Sequence, residues 1–116
     1  MQPDLTPISE RVENLCERAG RAAPNRALLS EIESMLCDGY ADALAGDAWT
    51  ARVERRMQEL IGIIPAAGAA RELRKLAKVH GDFQVRLVLL RRRLVRLRAE
   101  FERLSSGTTA DIADVA

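Results

Sequence analysis

The sequence predicts an all-α protein built on one long antiparallel, coiled-coil-like helical hairpin, with a short N-terminal helix, that assembles into a helical bundle. Three observations predict this fold. Residues that favour helices, above all Ala, Leu and Arg, dominate the 116 positions. Two long segments carry apolar residues at steps that alternate between three and four, which is the spacing of a heptad seam. Only a short connector separates these segments, so the helices that it joins are antiparallel neighbours.

The first unit is residues 1–24, a polar lead-in followed by a short helix. Thr6 is expected to be the N-cap and Pro7 the first helical residue, and the helix should end near Arg21. Its apolar residues recur at helical spacing and are Ile8, Val12, Leu15 and Ala19. The sequence leaves open whether this helix packs on the hairpin.

The second unit, residues 25–105, is the hairpin, and its first arm should run from about Arg26 to Ile61. Asn25 precedes the arm and can accept hydrogen bonds from the first free amides. The seam of this arm consists of Leu29, Ile32, Leu36, Gly39, Ala43, Gly46, Thr50, Val53, Met57 and Leu60. Because its steps alternate without a slip, we expect one continuous helix.

The connector is expected at Gly62-Ile63-Ile64-Pro65. Gly62 suits the position after a helix C-terminus, and Pro65 can begin the next helix. The second arm should then run from about Ala66 to Leu104, and residues 106–116 should form a disordered tail. The seam of the second arm consists of Leu73, Leu76, His80, Phe83, Leu87, Leu90, Leu94, Leu97, Phe101 and Leu104.

Folding the two arms together at this connector pairs small seam residues with large ones. Gly46 is expected opposite Phe83, and Gly39 opposite Leu90. An interior glycine costs a helix about 1 kcal/mol relative to alanine, so two on one seam indicate close packing against bulky partners. The alternative is that Gly46 and Gly81 mark kinks at one level of both arms. The unbroken heptad phase favours continuous helices.

His80 is the only ionisable side chain on the seam of its arm, and the same register places it opposite Thr50. One interpretation makes His80 a ligand or a proton-transfer group. The other is a buried polar layer, in which the imidazole bonds to the hydroxyl and fixes the register of the arms. No carboxylate or thiol stands at ligand spacing from His80, so the structural interpretation is favoured.

Nothing in the sequence indicates a cofactor, a metal site or catalytic residues. Cys16 and Cys37 lack CxxC spacing, and we expect free thiols. The known phosphate-binding, dinucleotide-binding and zinc-protease motifs are absent from the sequence. An enzyme with its site at an oligomer interface is kept as the weaker alternative, because the seams themselves carry almost no polar residue.

Arginine is concentrated on the second arm, in an arginine cluster that consists of Arg86, Arg91, Arg92, Arg93, Arg96 and Arg98. Such a run is a nucleic-acid-binding signal. The facing arm, however, carries only acidic charges over positions 27–51, namely Glu31, Glu33, Asp38, Asp42 and Asp47. Charge pairing between the arms is therefore favoured over nucleic-acid binding.

Basic residues also gather around the connector and form what we call the basic tip. Its members are Arg52, Arg55, Arg56, Arg71, Arg74, Lys75 and Lys78. Together with the isoleucines of the connector, they could bind an acidic protein, a nucleic-acid backbone or an anionic surface. The alternative is an ordinary solvated charged face with Ile63 and Ile64 folded under the turn. The sequence does not decide between the two.

A second apolar set lies off the seams, where two helices alone would leave it in water. The interface candidates are Leu28, Met35, Tyr40, Trp49, Val85, Val88, Leu89 and Val95. Exposed apolar patches of this size are typical of interfaces. The first hypothesis is therefore a non-catalytic interaction or regulatory protein that acts as a homo-oligomer, most simply a dimer, or binds a protein partner. The alternative is a nucleic-acid-binding module that uses the basic tip and the arginine cluster.

The sequence also indicates where the protein works. Its first residues have neither the basic nor the apolar segment of a signal peptide. The longest apolar stretch, residues 60–67, is interrupted by glycine and proline and is far shorter than the roughly 20 residues of a membrane span. We therefore expect a cytoplasmic protein without a membrane span.

Overall fold

A computed structural model describes residues 1–107 in full and the backbone of residues 108–115. The chain forms three helices, α1 (Thr6–Arg21), α2 (Arg26–Ile63) and α3 (Ala69–Val115), in an elongated body of 73 × 20 × 17 Å. No strand occurs in this part of the chain, so the predicted all-α hairpin with a short N-terminal helix is confirmed. None of these helices, as far as they are described, has an apolar stretch long enough to cross a bilayer.

The start of α1 lies one residue earlier than the sequence predicts. Leu5 holds the N-cap position without a side-chain cap, and the amide of Thr6 donates a 3.1 Å hydrogen bond to Asp4 Oδ1. The predicted cap at Thr6 is therefore wrong. Leu5 is only 2% exposed, and its burial against the other helices determines where α1 begins.

The seams predicted for the two long helices are confirmed. Every seam position is buried or half-buried, and both helices continue without a break through Gly46 and Gly81. Asn25 caps α2 as expected, because its Oδ1 accepts hydrogen bonds from the amides of Ala27, at 2.8 Å, and Leu28, at 3.2 Å. The apolar period alone is thus sufficient to define the hairpin arms.

The connector lies later in the chain than predicted. α2 continues through Gly62 to Ile63, and the turn occupies residues 64–68. Gly68, at φ +81°, is the residue of the turn with a left-handed conformation, which glycine adopts without steric cost. The amide of Ala66 donates to the carbonyl of Ile63 at 2.7 Å and closes the end of α2. The prediction of Gly62 as the helix-terminating glycine is therefore wrong.

Because the connector lies later in the chain, each seam residue of α2 packs against α3 residues about one helical turn further along than predicted. A Cβ placed on Gly39 would collide with the side chain of Leu94, whereas Leu90 was the expected partner. A Cβ on Gly46 would lie 3.2 Å from both Phe83 and Leu87, so this contact is shared between the predicted residue and the next one along the seam. The small-against-large packing is present, in a shifted register.

The predicted end of the third helix at Leu104 is also wrong, because α3 continues through Ser105, Ser106 and Gly107. At Gly107 an added Cβ would lie 2.7 Å from Cγ of Pro24, so the helix passes close to the loop between α1 and α2. The tail expected over residues 106–116 falls mainly on positions 108–116, which lie outside the residues described in full, and stays a prediction.

The helix α1 packs on the hairpin, mainly along α3. Near the start of α1 Ser9 contacts Arg93, and near its end Ala19 contacts Arg103, so α1 runs parallel to α3. Its whole apolar face is buried. The half of the hairpin distant from the turn is therefore a three-helix bundle that includes α1, whereas the half next to the turn consists of α2 and α3 alone.

Candidate interaction surfaces

Arg93 joins α3 to α1. Its Nη1 donates hydrogen bonds to the hydroxyl of Ser9 at 2.7 Å and to the carbonyl of Ser9 at 3.2 Å, and its Nε lies 3.1 Å from Glu13. The carbonyl of Arg93 accepts a 3.6 Å hydrogen bond from the thiol of Cys16. Because its guanidinium group and its backbone carbonyl both bind α1, and its side chain is only 24% exposed, Arg93 is a structural residue of the bundle.

Most of the remaining arginine cluster is also paired within the chain. The pairs are Arg91 with Asp47, Arg96 with Glu13, and Arg98 with Glu102. Arg86 and Arg92 are exposed and form no ion pair with any residue described in full. Because neighbouring arginines of the cluster face different helices, the cluster does not form one continuous basic surface.

The acids that pair with this cluster come from three helices, and not from the facing arm alone as the sequence predicts. Of the five acids predicted on that arm, only Asp47 pairs with α3. Glu31 instead binds Arg18 of α1 through two hydrogen bonds of 2.8 and 2.9 Å. These hydrogen bonds lower the pKa of Glu31 and raise the pKa of Arg18. The pair is exposed and connects α1 to α2.

The side of the hairpin opposite α1 is uncovered. Arg91 and Arg93 are two residues apart and therefore point to nearly opposite sides of α3. Arg93 faces α1, whereas Arg91 pairs with Asp47 across the hairpin, and Gln84 donates a 2.8 Å hydrogen bond to Thr50 on the same side.

Apolar side chains flank these polar bridges at helical steps of three and four, and together they line what we call the outer groove. Its apolar members are Tyr40 (39% exposed), Leu44 (67%), Val88 (45%) and Val95 (64%). The first two lie on the same face of α2 as Asp47, and the other two on the same face of α3 as Arg91. No helix of the described chain covers this groove.

The other interface candidates divide into two groups. Val85 is exposed on α3 beside the outer groove, whereas Leu89 is exposed at the edge of the cleft between α1 and α3. Leu28 and Trp49, by contrast, are each only 8% exposed, and Met35 is half-buried against the core. These three are covered by the packing of the three helices and are not exposed on this chain.

Trp49 illustrates how this covering is achieved. Its ring lies 4.6 Å from that of Phe83, between centroids, at an interplanar angle of 60°. Such tilted pairs stabilise a core beyond the area that they bury. Trp49 therefore widens the seam between α2 and α3 and is not available to a partner.

Only Arg56 of the basic tip is neutralised. It binds Glu72 through two hydrogen bonds of 3.0 Å and Glu59 through one of 3.2 Å, and the first of these acids raises its pKa most. The other six cations of the tip are exposed and have no ion-pair partner among the residues described in full. They are Arg52, Arg55, Arg71, Arg74, Lys75 and Lys78. The tip therefore has an excess of uncompensated positive charge.

The isoleucines of the turn protrude into solvent. Ile61 is 55% exposed, Ile63 is 51% exposed and Ile64 is 45% exposed, and we call these three side chains the apex. The core beneath them is closed by Leu60 and Ala69, which are 1% and 3% exposed. The apex is thus not needed to cover the core, and the interpretation that Ile63 and Ile64 fold under the turn is wrong.

His80 does not form the polar layer that the sequence predicts. Its Nε2 lies 3.0 Å from Oε1 of Glu54, at the edge of the seam, while Thr50 bonds to Gln84. The shifted register explains the difference, because it moves Thr50 along α3 by one turn. The half-buried polar bridge between the arms is therefore Thr50 with Gln84, and His80 instead shares a contact with Glu54.

The cysteines are both free thiols. Cys16 is buried between α1 and α3, and this burial raises the pKa of its thiol. Cys37 is exposed on α2. Over the residues described, no three or more His, Cys, Asp or Glu side chains come together in a way that could hold a metal ion.

One cleft brings arginines and a carboxylate together. It lies between the start of α1 and α3, and Arg86, Arg93 and Glu10 are among the residues that line it. Its volume is about 200 Å³. Small-molecule sites occupy roughly 300–1,000 Å³, and Arg93 is already bound to Ser9 and Glu13. The cleft is therefore a gap between packed helices.

Comparison with known proteins gives no assignment: no protein-family model, no curated protein and no solved structure matches this chain. The function has to be inferred from the outer groove and the basic tip.

Proposed function

We propose that the protein is a non-catalytic interaction protein that acts as a homodimer through its outer groove. The observation that carries the proposal is the uneven covering of the hairpin. On one side α1 packs against α3 and buries its apolar face completely. On the other side Leu44 and Val95 remain about two-thirds exposed, and no helix of the described chain covers them.

The extent of the exposed apolar surface supports this proposal. The outer groove and the adjacent Val85 expose an area on the order of 500 Å², at the upper end of what monomers normally show. A second hairpin packed into the groove would bury this area and complete a larger helical bundle. Polar contacts around the groove would supply the remainder of a standard interface of about 800 Å² per partner.

The charges beside the groove favour a second copy as the occupant. The α2 side is acidic and carries Glu33, and the α3 side is basic and carries Arg92; both are exposed and have no ion-pair partner among the residues described in full. In a two-fold dimer each copy presents the same surface to the other. An arrangement that sets α2 of one copy against α3 of its partner therefore brings opposite charges together at both ends of the groove.

Light scattering at micromolar concentration tests the proposal, with the expectation that the wild-type protein has the mass of a dimer. Leu44→Glu and Val95→Glu place a charge in the groove and should raise the dimer dissociation constant at least tenfold. Ile63→Glu is the matched control, since Ile63 is similarly exposed but lies in the apex. A helical wild-type monomer, or groove variants that associate as the control does, would refute the homodimer.

Two alternatives receive less support from these surfaces. A nucleic-acid-binding role for the arginine cluster is weakened, because four of its six members pair within the chain. An enzyme with its site at the dimer interface would need a pocket there that gathers arginines with a carboxylate. The groove offers the exposed pair of Asp47 and Arg91, which already bind each other.

A further inference from the structure

The turn of the hairpin carries apolar and basic groups in a fixed order along the long axis of the molecule. The apex, formed by Ile61, Ile63 and Ile64, is outermost, and each of its side chains is about half exposed. The backbone beneath is held by hydrogen bonds within the turn, from Ala66 to the carbonyl of Ile63 and from Ala69 to that of Ala66. The apex is therefore a fixed convex projection.

The unpaired cations lie behind the apex on both helices. On α3 the nearest, Arg71, is in the first turn of the helix, and Lys78 is about two turns further back; on α2 Arg52 and Arg55 lie in the last three turns. All are within about 20 Å of the apex along the helix axes. A flat anionic surface that meets the apex would be within side-chain reach of Arg71, and its electrostatic attraction would extend to the cations further back, because the Debye length is about 30 Å at 0.01 M salt.

We propose that this end of the hairpin docks on the surface of an anionic lipid bilayer, with the apex in the headgroup region and the cations of the basic tip against lipid phosphates. Aliphatic side chains enter the interface between headgroups and acyl chains, and anionic headgroups attract nearby Lys and Arg. The proposal explains both the exposed isoleucines and the unpaired cations. It does not rest on the outer groove or on dimer formation.

The combination of apolar and basic side chains at the tip distinguishes a bilayer from the other partners that a basic surface can bind. A nucleic-acid backbone would neutralise the cations but would leave the three isoleucines in water. An acidic protein would have to supply a deep apolar pocket for a projection that has the isoleucines at its outermost point. Only a bilayer offers an apolar layer behind a sheet of negative charge over the whole width of the tip.

Vesicle flotation with the full chain tests the proposal. Vesicles of phosphatidylcholine with about one-third phosphatidylglycerol should carry the protein with them, and vesicles of phosphatidylcholine alone should carry at least tenfold less. Raising the salt concentration should weaken the binding, because it screens the attraction between cations and headgroups. Duplex and single-stranded nucleic acids, at the same low salt, serve as the competing probes.

Variants assign the binding to the tip. Ile63→Ser with Ile64→Ser, and Lys75→Glu with Lys78→Glu, should each lower the fraction bound to anionic vesicles at least tenfold. All four positions are exposed, so circular dichroism should show unchanged helix content.

The lysine pair has a matched control on exposed residues far from the tip. Arg11→Glu with Arg26→Glu makes the same change in net charge. This control should float as the wild-type protein does.

The proposal would be overturned by no flotation at low salt, by equal flotation with neutral vesicles, by wild-type flotation of the isoleucine variant, or by loss of binding in the control to the same extent as in the lysine variant. Binding to nucleic acid without binding to vesicles would also overturn it, and would assign the basic tip to phosphate backbones instead.

Discussion

Replacing Gly46 with alanine should destabilise the protein, whereas the same replacement at Gly81 should stabilise it. Both glycines lie inside long helices, so alanine brings each helix the same gain of about 1 kcal/mol in intrinsic propensity. The surroundings differ. A Cβ at Gly81 would meet nothing within 4 Å, whereas a Cβ at Gly46 would lie 3.2 Å from both Phe83 and Leu87.

The size of the effect follows from how well these neighbours can move. Phe83 is fully buried and has the ring of Trp49 behind it at 4.6 Å, so it cannot withdraw without disturbing a second ring. Over-packing of this kind costs about 1–3 kcal/mol. Subtracting the helix gain leaves Gly46→Ala destabilised by up to about 2 kcal/mol.

The difference between the two variants is the quantity to measure, because the propensity gain cancels from it. We expect Gly81→Ala to be more stable than Gly46→Ala by about 1–3 kcal/mol in urea unfolding followed by circular dichroism. All samples should have one protein concentration, since association would make the midpoint depend on it. Equal stability of the two variants would show that the arms do not approach closely at Gly46.

Three further predictions concern the contacts of α1. Arg93→Ala should lower the free energy of unfolding by about 1–3 kcal/mol, because it leaves buried polar groups of α1 unpaired. Arg92→Ala, at an exposed position without an ion-pair partner among the residues described in full, is the control and should change the free energy of unfolding little. Equal effects of the two substitutions would contradict the bridging role of Arg93. The hydrogen bonds from its α1 partner lower the pKa of Glu31, so the contribution of Glu31 to stability is present above the usual carboxyl pKa and is lost as the pH falls through the lowered value. Glu31→Gln should therefore reduce the loss of stability in acid, and an unchanged pH profile would count against the pair. An alkylating reagent at neutral pH should modify the exposed Cys37 first and Cys16, whose pKa is raised by burial, only on unfolding, as peptide mass analysis of a time course can show.

The sequence was sufficient to predict the helices and their seams, because a heptad period reports which face of a long helix is buried. It misplaced the turn, because the signals at Gly62 and Pro65 are local and do not state how far the helix before them continues. In the structure α2 continues to Ile63, and the positive φ belongs to Gly68. The error of about one helical turn in register, and the wrong partner for His80, both follow from this.

The surfaces were harder to predict than the core. Periodicity assigns Trp49 and Val95 to the same off-seam class, yet the first is buried by its contact with Phe83 and the second is 64% exposed. Charges are similarly ambiguous, because a carboxylate on either α1 or α2 satisfies an arginine. Only the packing of α1 determines that Arg93 turns toward Glu13. The exposure of the apex depends on the closing of the core by Leu60 and Ala69, which no pattern of residues predicts.

The position of α1 in the chain has a consequence for the order of folding. Contacts within the hairpin begin close in sequence at the turn and widen away from it, from 16 positions apart for Arg56 and Glu72 to 55 for Gly39 and Leu94. Ser9 and Arg93 are 84 positions apart. Closing a longer loop costs more entropy, so we expect the hairpin to form from its turn and α1 to dock last. Substitutions in α1 should then speed unfolding and leave the folding rate nearly unchanged. The short helix would determine mainly how long a folded molecule persists.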